Sequence, residues 1–75
     1  MSIKVLYFGQ LQDITQLSEE DWEAEHTSQL QKKLVEKYPA LAKKTFAISL
    51  NKKIVKEASL KEGDTLALLP PFSGG

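Results

Sequence analysis

The sequence predicts an α+β fold in which a mixed β-sheet carries one main helix on one of its faces. Three observations lead to this prediction. Segments of alternating apolar residues lie near both ends of the chain, a middle segment has apolar residues at helical spacing, and 75 residues leave room for only one core. We expect one domain over residues 1–69, followed by a flexible extension at residues 70–75.

The first strand is predicted over Ile3–Phe8, where apolar side chains occupy both faces. Gly9 ends this strand, and the segment from there to Glu20 is interpreted as a loop with at most about one turn of helix. Asp21–Glu25 alternates weakly between acidic and apolar residues. It is therefore predicted to be an edge strand that its charges protect from aggregation.

The main helix is predicted to begin at Thr27 or Ser28, since either side chain can cap the first turn. Pro39 ends it, because proline lacks the backbone N–H that a helix needs. The apolar residues of this segment recur at helical spacing: Leu30, Leu34 and Tyr38. This helix is long enough to cover one face of the sheet.

The second half of the chain predicts a hairpin and a last strand. Phe46–Leu50 alternates, a turn follows at Asn51–Lys53, and Ile54–Val55 supplies a short return strand. Gly63 favours another turn before the final strand over Thr65–Leu69. The resulting order (strand, strand, helix, strand, short strand, strand) is the outline of a β-grasp, or ubiquitin-like, fold.

Alternation also predicts that the two faces of the sheet differ. One set of side chains faces the helix and forms the core: Ile3, Val5, Leu66 and Leu68. The other set forms an apolar patch that could bind a partner: Leu6, Phe8, Ala67 and Leu69. An alternative with equal support is that the segment from Gly9 to Glu20 folds over this patch with its own apolar residues.

Composition excludes several kinds of function. The chain has no cysteine and a single histidine, so thiolate sites and histidine clusters are ruled out, and we expect no bound metal or cofactor. All ten basic residues are lysine, which lacks the planar fork of arginine, so nucleic-acid binding is not expected. No apolar run is long enough for a signal peptide or a membrane span, and we expect a cytoplasmic protein without membrane contact.

Isolated polar residues give weaker signals. His26 lies beside the predicted helix start and is interpreted as a capping or surface residue, and Trp22 as a packing residue of the edge strand. The pair Glu19–Glu20 is interpreted as a solvated loop surface. The lysine-rich second half of the chain could meet an acidic partner, but a solvated surface is the favoured interpretation; its main residues are Lys32, Lys33, Lys52 and Lys53.

The most informative segment is the C-terminal one. Pro70 and Pro71 stiffen the chain as it leaves the last strand, whereas Gly74 and Gly75 remove all side chains from its tip. Such a tail could carry its carboxylate into a narrow active site of another protein. The simpler interpretation is a frayed terminus, but the paired prolines directly after a strand favour the first.

Three segments together resemble the small subunit of molybdopterin synthase, a ubiquitin-like sulfur carrier. They are Ile3–Gly9, Gly63–Ala67 and Pro70–Gly75, and the similarity extends along the whole chain. The proline pair followed two residues later by a terminal glycine pair is the most specific feature of this resemblance.

The resemblance implies a reaction cycle at Gly75, next to Gly74. An adenylyltransferase related to ubiquitin-activating enzymes uses ATP and magnesium to adenylate the Gly75 carboxylate, and a sulfur donor such as a cysteine desulfurase or rhodanese converts it to a thiocarboxylate. The large subunit then uses this sulfur on a pyranopterin precursor of the molybdenum cofactor. The chain would not be an enzyme on its own, because the large subunit supplies the catalytic side chains.

The same resemblance implies how the chain binds. Two small subunits would bind a dimer of large subunits, and the tail would insert into the large subunit. The residues expected to touch that subunit are the patch and the start of the tail: Leu6, Phe8, Ala67, Leu69, Pro70, Pro71, Phe72 and Ser73.

Other functions of ubiquitin-like proteins with a terminal Gly-Gly stay open. They are sulfur carriage for thiamine synthesis or tRNA thiolation, and conjugation to lysines as a protein modifier. Modifiers usually carry a basic residue before the glycines, whereas this chain has Phe72 and Ser73. A β-grasp adaptor with an inert tail is the remaining alternative.

Overall fold

The computed structural model describes residues 1–70, which form five strands, two α-helices and a short 3-10 helix. The bounds, in chain order, are β1 (Ser2–Tyr7), α1 (Gln10–Thr15), β2 (Glu19–Glu23), α2 (Thr27–Lys37), the 3-10 helix (Pro39–Lys43), β3 (Ala47–Leu50), β4 (Lys53–Val55) and β5 (Thr65–Leu69). Neither α-helix of this part of the chain is long and apolar enough to cross a membrane.

The strands form one mixed sheet in the order β2-β1-β5-β3-β4. The central pair, β1 and β5, is parallel, and the other neighbours are antiparallel. The parallel pair joins the two ends of the sequence, and α2 lies between them in the chain. The predicted mixed sheet with one main helix is therefore confirmed.

The core lies between the sheet and α2. Leu30 and Leu34 of α2 are each 1% exposed and belong to one apolar cluster with the inward residues of the sheet. The four sheet residues predicted to form the core are all buried: Ile3, Val5, Leu66 and Leu68. Alternation along β1 and β5 therefore assigned the two faces correctly.

Strand β2 begins at Glu19, two residues before the predicted start at Asp21. Its backbone pairs with β1 from Leu6↔Glu19 to Ser2↔Glu23. Glu19 and Glu20 thus lie in a strand, not in a loop. The alternation of the acidic segment is weak, so the extent of β2 is set by its pairing with β1 and not by its own sequence pattern.

Helix α2 is capped by His26, not by Thr27 or Ser28. The Nδ1 atom of His26 accepts a hydrogen bond from the backbone N–H of Ser28 at 3.1 Å, which confirms its interpretation as a capping residue. Thr27 is fully buried instead, and its hydroxyl accepts from the N–H of Ala58 at 3.0 Å. Thr27, one of the two residues predicted to cap α2, thus connects the helix to the segment before β5.

The segment after Gly9 does not cover the opposite face of the sheet. Leu11 of α1 is 2% exposed and belongs to the core cluster, and Ile14 packs against that cluster. Burial in the core removes these side chains from the outer patch, so the alternative of a covering loop is wrong.

The β3–β4 hairpin closes with two consecutive residues of positive φ, Asn51 (50°) and Lys52 (75°). Two such residues are the pattern of a type I′ turn, which favours Asn and Gly because they tolerate this conformation. Lysine has a Cβ that clashes here, at a cost of about 1–2 kcal/mol. Lys52 is thus held in a conformation that its side chain disfavours.

Candidate functional site

The sheet face opposite α2 carries an apolar groove, which we call the open groove. It has a volume of about 430 Å³ and is lined by Leu6, Phe8, Ser49, Asn51, Lys52, Thr65, Ala67 and Leu69. The four patch residues predicted from the sequence are all in this lining. Phe8 is 41% exposed, which is unusual for a side chain of its size.

Strand register explains why these residues meet. Leu6 of β1 pairs with Ala67 of β5, and Ala67 pairs in turn with Ser49 of β3. Paired residues project to the same face of a sheet, so three adjacent strands line the groove at this level. The groove therefore runs along β5, from Thr65 to Leu69.

One end of the groove lies where the chain leaves the sheet. Gly9, at φ 57° and ψ −133°, packs so closely on Pro70 that a Cβ built on Gly9 would lie 3.0 Å from the Pro70 Cγ. A glycine at this point permits the close approach and the positive φ together. The start of the C-terminal tail is thereby held against the end of β1, next to Phe8.

The other end of the groove is polar and firmly braced. The side chain of Asn51 accepts a hydrogen bond from the Thr65 N–H and donates one to the Asp64 carboxylate, both at 3.0 Å. The N–H of Asn51 also donates to the Thr65 carbonyl at 2.8 Å. Hydrogen bonds from Asn51 and from the Lys61 N–H lower the pKa of the Asp64 carboxyl. These bonds fix the hairpin turn on the start of β5.

Sequence reasoning missed a polar cluster on the opposite face. The Glu20 carboxylate lies on the α2 side of β2, where it accepts hydrogen bonds from Tyr7 Oη at 2.8 Å and Tyr38 Oη at 3.0 Å. It also accepts from Trp22 Nε1 at 3.0 Å and from the Lys37 ammonium. The Glu20 side chain is only 15% exposed, so its interpretation as solvated surface is wrong.

The electrostatics of this cluster follow from its contacts. Burial alone would raise the pKa of the Glu20 carboxyl, but the hydrogen bonds from Lys37, Tyr7 and the other donors outweigh it and hold the pKa below its ordinary value. Burial, together with the neighbouring carboxylate, raises the pKa of Tyr7. The cluster joins β2 to α2 and has no opening toward the groove, so we assign it a structural role. Trp22, half-buried against the core, is a packing residue as predicted.

Within residues 1–70 no group of acidic or histidine side chains is arranged to hold a metal ion. The predicted site residues Pro71, Phe72, Ser73, Gly74 and Gly75 lie outside the described residues. The open groove and the start of the tail at Pro70 are thus the parts of the predicted site that the structure describes.

Comparison with known proteins agrees with this arrangement. The model of the ThiS family matches residues 5–75, nearly the whole chain. The chain belongs to the ThiS family. The molybdopterin synthase sulfur carrier subunit of Chlamydomonas reinhardtii is 36% identical over 83 residues, in an alignment that covers all of both proteins. The ThiS-family assignment confirms the sequence resemblance to sulfur carriers of the molybdopterin synthase type.

Solved structures of similar fold come from two kinds of protein. The small archaeal modifier protein 1 of Methanosarcina acetivorans has a TM-score of 0.85 and 26% identity, covering 99% of this chain and 96% of that one. Subunits 1 and 2 of the molybdopterin-converting factor of Helicobacter pylori have been solved as a complex. The matching chain there has a TM-score of 0.76 and 28% identity, with full coverage of both chains. Both similarities confirm the ubiquitin-like β-grasp fold.

Proposed function

We propose that this ThiS-family chain is the small subunit of a molybdopterin synthase and carries sulfur as a thiocarboxylate on Gly75. The observation that carries the proposal is the position of the open groove, which ends where the tail leaves the sheet at Pro70. A partner that binds the groove would receive the tail directly. The full-length similarity to a molybdopterin synthase sulfur carrier subunit supports the same function.

The chemistry at Gly75 takes two steps. The carboxylate oxygen attacks the α-phosphorus of ATP, which is bound with magnesium in a separate activating enzyme, and pyrophosphate leaves. A persulfide on the sulfur donor then attacks the acyl carbon and AMP leaves, which gives an acyl disulfide between the donor and Gly75. A second thiol attacks the donor's sulfur atom in this disulfide, so that a new disulfide forms on the donor side and the thiocarboxylate leaves. Adenylation is needed because a carboxylate oxygen is a poor leaving group, whereas the phosphate of AMP is a good one.

The partner in this proposal is the large subunit. The Helicobacter pylori complex joins subunits 1 and 2 of a molybdopterin-converting factor, and its small chain is similar to this one over its full length. We infer that the open groove is the contact surface, because Leu6, Phe8, Ala67 and Leu69 present a continuous apolar strip. In this scheme the large subunit holds the pterin precursor and supplies the catalytic side chains.

A second candidate function is conjugation to other proteins. It is favoured by the structural similarity to the small archaeal modifier protein 1. Both functions begin with adenylation of the C-terminal carboxylate. They differ in the acceptor, which is sulfur in a carrier and the amino group of a lysine in a modifier.

The decisive experiment is the intact mass of the purified chain after incubation with its organism's adenylyltransferase, ATP, magnesium and a sulfur donor. We expect one oxygen to be replaced by sulfur, and C-terminal fragmentation should place the change at Gly75. A chain extended by one residue beyond Gly75 is the matched control and should not react. Higher-mass conjugates through lysine would favour the modifier, and sulfur gain in the extended chain would contradict the proposed chemistry.

A further inference from the structure

The polar end of the open groove contains a lysine whose backbone conformation is unfavourable for its residue type. Lys52 lines the groove at φ 75°, in a turn where glycine would be free of strain. Strained residues persist where the surrounding structure holds them in place, and they concentrate at binding sites. The position of Lys52 therefore calls for an explanation beyond closing the hairpin.

The structure holds the backbone on both sides of Lys52. Asn51 is bound to Asp64 and Thr65 by three hydrogen bonds: its backbone N–H and its side-chain amide each donate one, and its side-chain oxygen accepts one from the Thr65 N–H. Lys53 pairs with Leu50 across the hairpin. The backbone at Lys52 is thus already ordered. A partner that binds the Lys52 side chain therefore loses less conformational entropy of the backbone.

Three lysines of the sheet and α2 are engaged within the chain. Lys4 forms an ion pair with Glu19, Lys37 binds Glu20, and Lys33 donates to the Glu23 carbonyl at 2.7 Å. Within residues 1–70, no carboxylate forms an ion pair with Lys52. The groove therefore offers a positive charge at one end and an apolar strip along the rest.

Thr65, whose carbonyl accepts a hydrogen bond from the Asn51 N–H beside Lys52, adds a hydroxyl group at this end of the groove. An ammonium group and a nearby hydroxyl donor suit a carboxylate, because each can donate a hydrogen bond to its oxygens. From Thr65 to Leu69 the groove spans the five residues of β5, and the four steps between them cover about 13 Å at the usual rise per residue. A carboxylate on Lys52 would thus lie about 13 Å from the point where the tail begins.

We propose that Lys52 determines partner specificity by binding an acidic side chain of the large subunit, at the end of the open groove away from the tail. This inference rests on the proposed function, since it takes the large subunit as the occupant of the groove. The partner must then place apolar side chains on Leu6, Phe8 and Leu69 and a carboxylate on Lys52. The two contacts, at opposite ends of one groove, fix the direction in which the small subunit docks and so direct the tail.

The test is isothermal titration calorimetry of the full chain with the large subunit of its own organism, at low and at high salt. Lys52→Gln should weaken binding about tenfold at low salt, and less at high salt because ions screen the pair. Lys53→Gln is the matched control, since it removes a neighbouring charge that does not line the groove, and it should change affinity less than about twofold.

A second variant separates charge from backbone strain. Lys52→Gly relieves the strained φ, so its midpoint of thermal unfolding should be no lower than that of the wild type, whereas its affinity should fall as much as that of Lys52→Gln. If wild type and Lys52→Gln bind the large subunit with equal affinity at both salt concentrations, the role proposed for Lys52 is wrong, whereas the proposed partnership is unaffected. If the wild-type chain itself does not bind the large subunit, the proposed partnership fails, and the inference fails with it.

Discussion

The two faces of the sheet are built from alternate residues of the same strands, yet they complete their interactions in different ways. On the α2 side, Glu20 receives four hydrogen bonds from the chain itself, and no buried side-chain polar atom of residues 1–70 lacks a partner. On the open side, Phe8 is 41% exposed and Lys52 has no ion pair within the described residues. One face thus satisfies its polar groups within the chain, whereas the other leaves an apolar groove and a charge open, as the proposed docking surface requires.

The largest expected effect is a difference in stability between alanine variants of two adjacent leucines of β5. Leu68 is fully buried on the α2 side, whereas Leu69 lines the open groove. Leu68→Ala should lower the free energy of unfolding by about 3 kcal/mol, because it leaves a cavity in the core, and Leu69→Ala by less than about 1 kcal/mol. Urea unfolding followed by circular dichroism measures both.

Binding should reverse this order. Leu69→Ala should weaken association with the large subunit in calorimetry, while Leu68→Ala, measured where it is still folded, should bind as the wild type does. Equal losses of stability in the two variants would show that the faces are not divided as the register indicates.

The next effect concerns Glu20. Replacing it by Gln removes the charge that Lys37 and the two tyrosine hydroxyls bind, and should lower the free energy of unfolding by about 2 kcal/mol. Because the cluster lies away from the groove, the affinity for the large subunit should not change. Asp21→Asn, an exposed acid of the same strand on the other face, is the control and should have little effect. A loss of affinity in Glu20→Gln would place the cluster in the binding surface.

The third effect is the dependence of stability on pH. The folded pKa of Glu20 lies below its ordinary value of 4.5, so the unfolded state takes up protons first as the pH falls. The contribution of Glu20 is therefore complete above pH 4.5 and is lost progressively as the pH falls toward the folded pKa. Asp64 titrates with the same sign.

The measurement is the urea midpoint of wild type and Glu20→Gln from neutral pH to acid. Subtracting one curve from the other leaves the part due to Glu20, since Asp64 is present in both. We expect the difference between the two proteins to shrink as the pH falls. A constant difference would mean that the charge of Glu20 does not stabilise the cluster.

The smallest expected effect is at the helix cap, His26, which belongs neither to the core cluster nor to the lining of the groove. His26→Ala removes the acceptor for the Ser28 N–H and should cost about 1 kcal/mol of stability. Lys32→Ala on the exposed side of α2 is the control and should be nearly neutral. If His26→Ala lowers the free energy of unfolding no more than Lys32→Ala does, water hydrogen-bonds to the Ser28 N–H as well as His26 does.

The sequence predicted the sheet and its division into two faces because alternation has a period of two, and strands β1 and β5 follow it strongly. It placed Ile3, Val5, Leu66 and Leu68 in the core and the four patch residues opposite. It did not predict the partners of Glu20, because Tyr7, Lys37 and Tyr38 are 13 to 18 residues away in the chain and meet it only after folding.

One local prediction was wrong and another was incomplete. Side-chain chemistry alone predicts Thr27 or Ser28 as the helix cap, but tertiary packing buries Thr27 and the cap is His26. The turn at Asn51–Lys53 was placed correctly, yet nothing in its composition indicated that Lys52 would have a positive φ and line the groove. Backbone strain of this kind is visible only in the structure.

One measurement tests the division between the two faces most directly: amide chemical-shift mapping of the ¹⁵N-labelled chain during titration with the unlabelled large subunit. The division predicts that resonances of Leu6, Phe8, Ala67 and Leu69 shift or broaden first, and that those of Leu30 and Leu34 on α2 do not. The largest changes on α2, with the β5 resonances unaffected, would contradict it and place the partner on the opposite face.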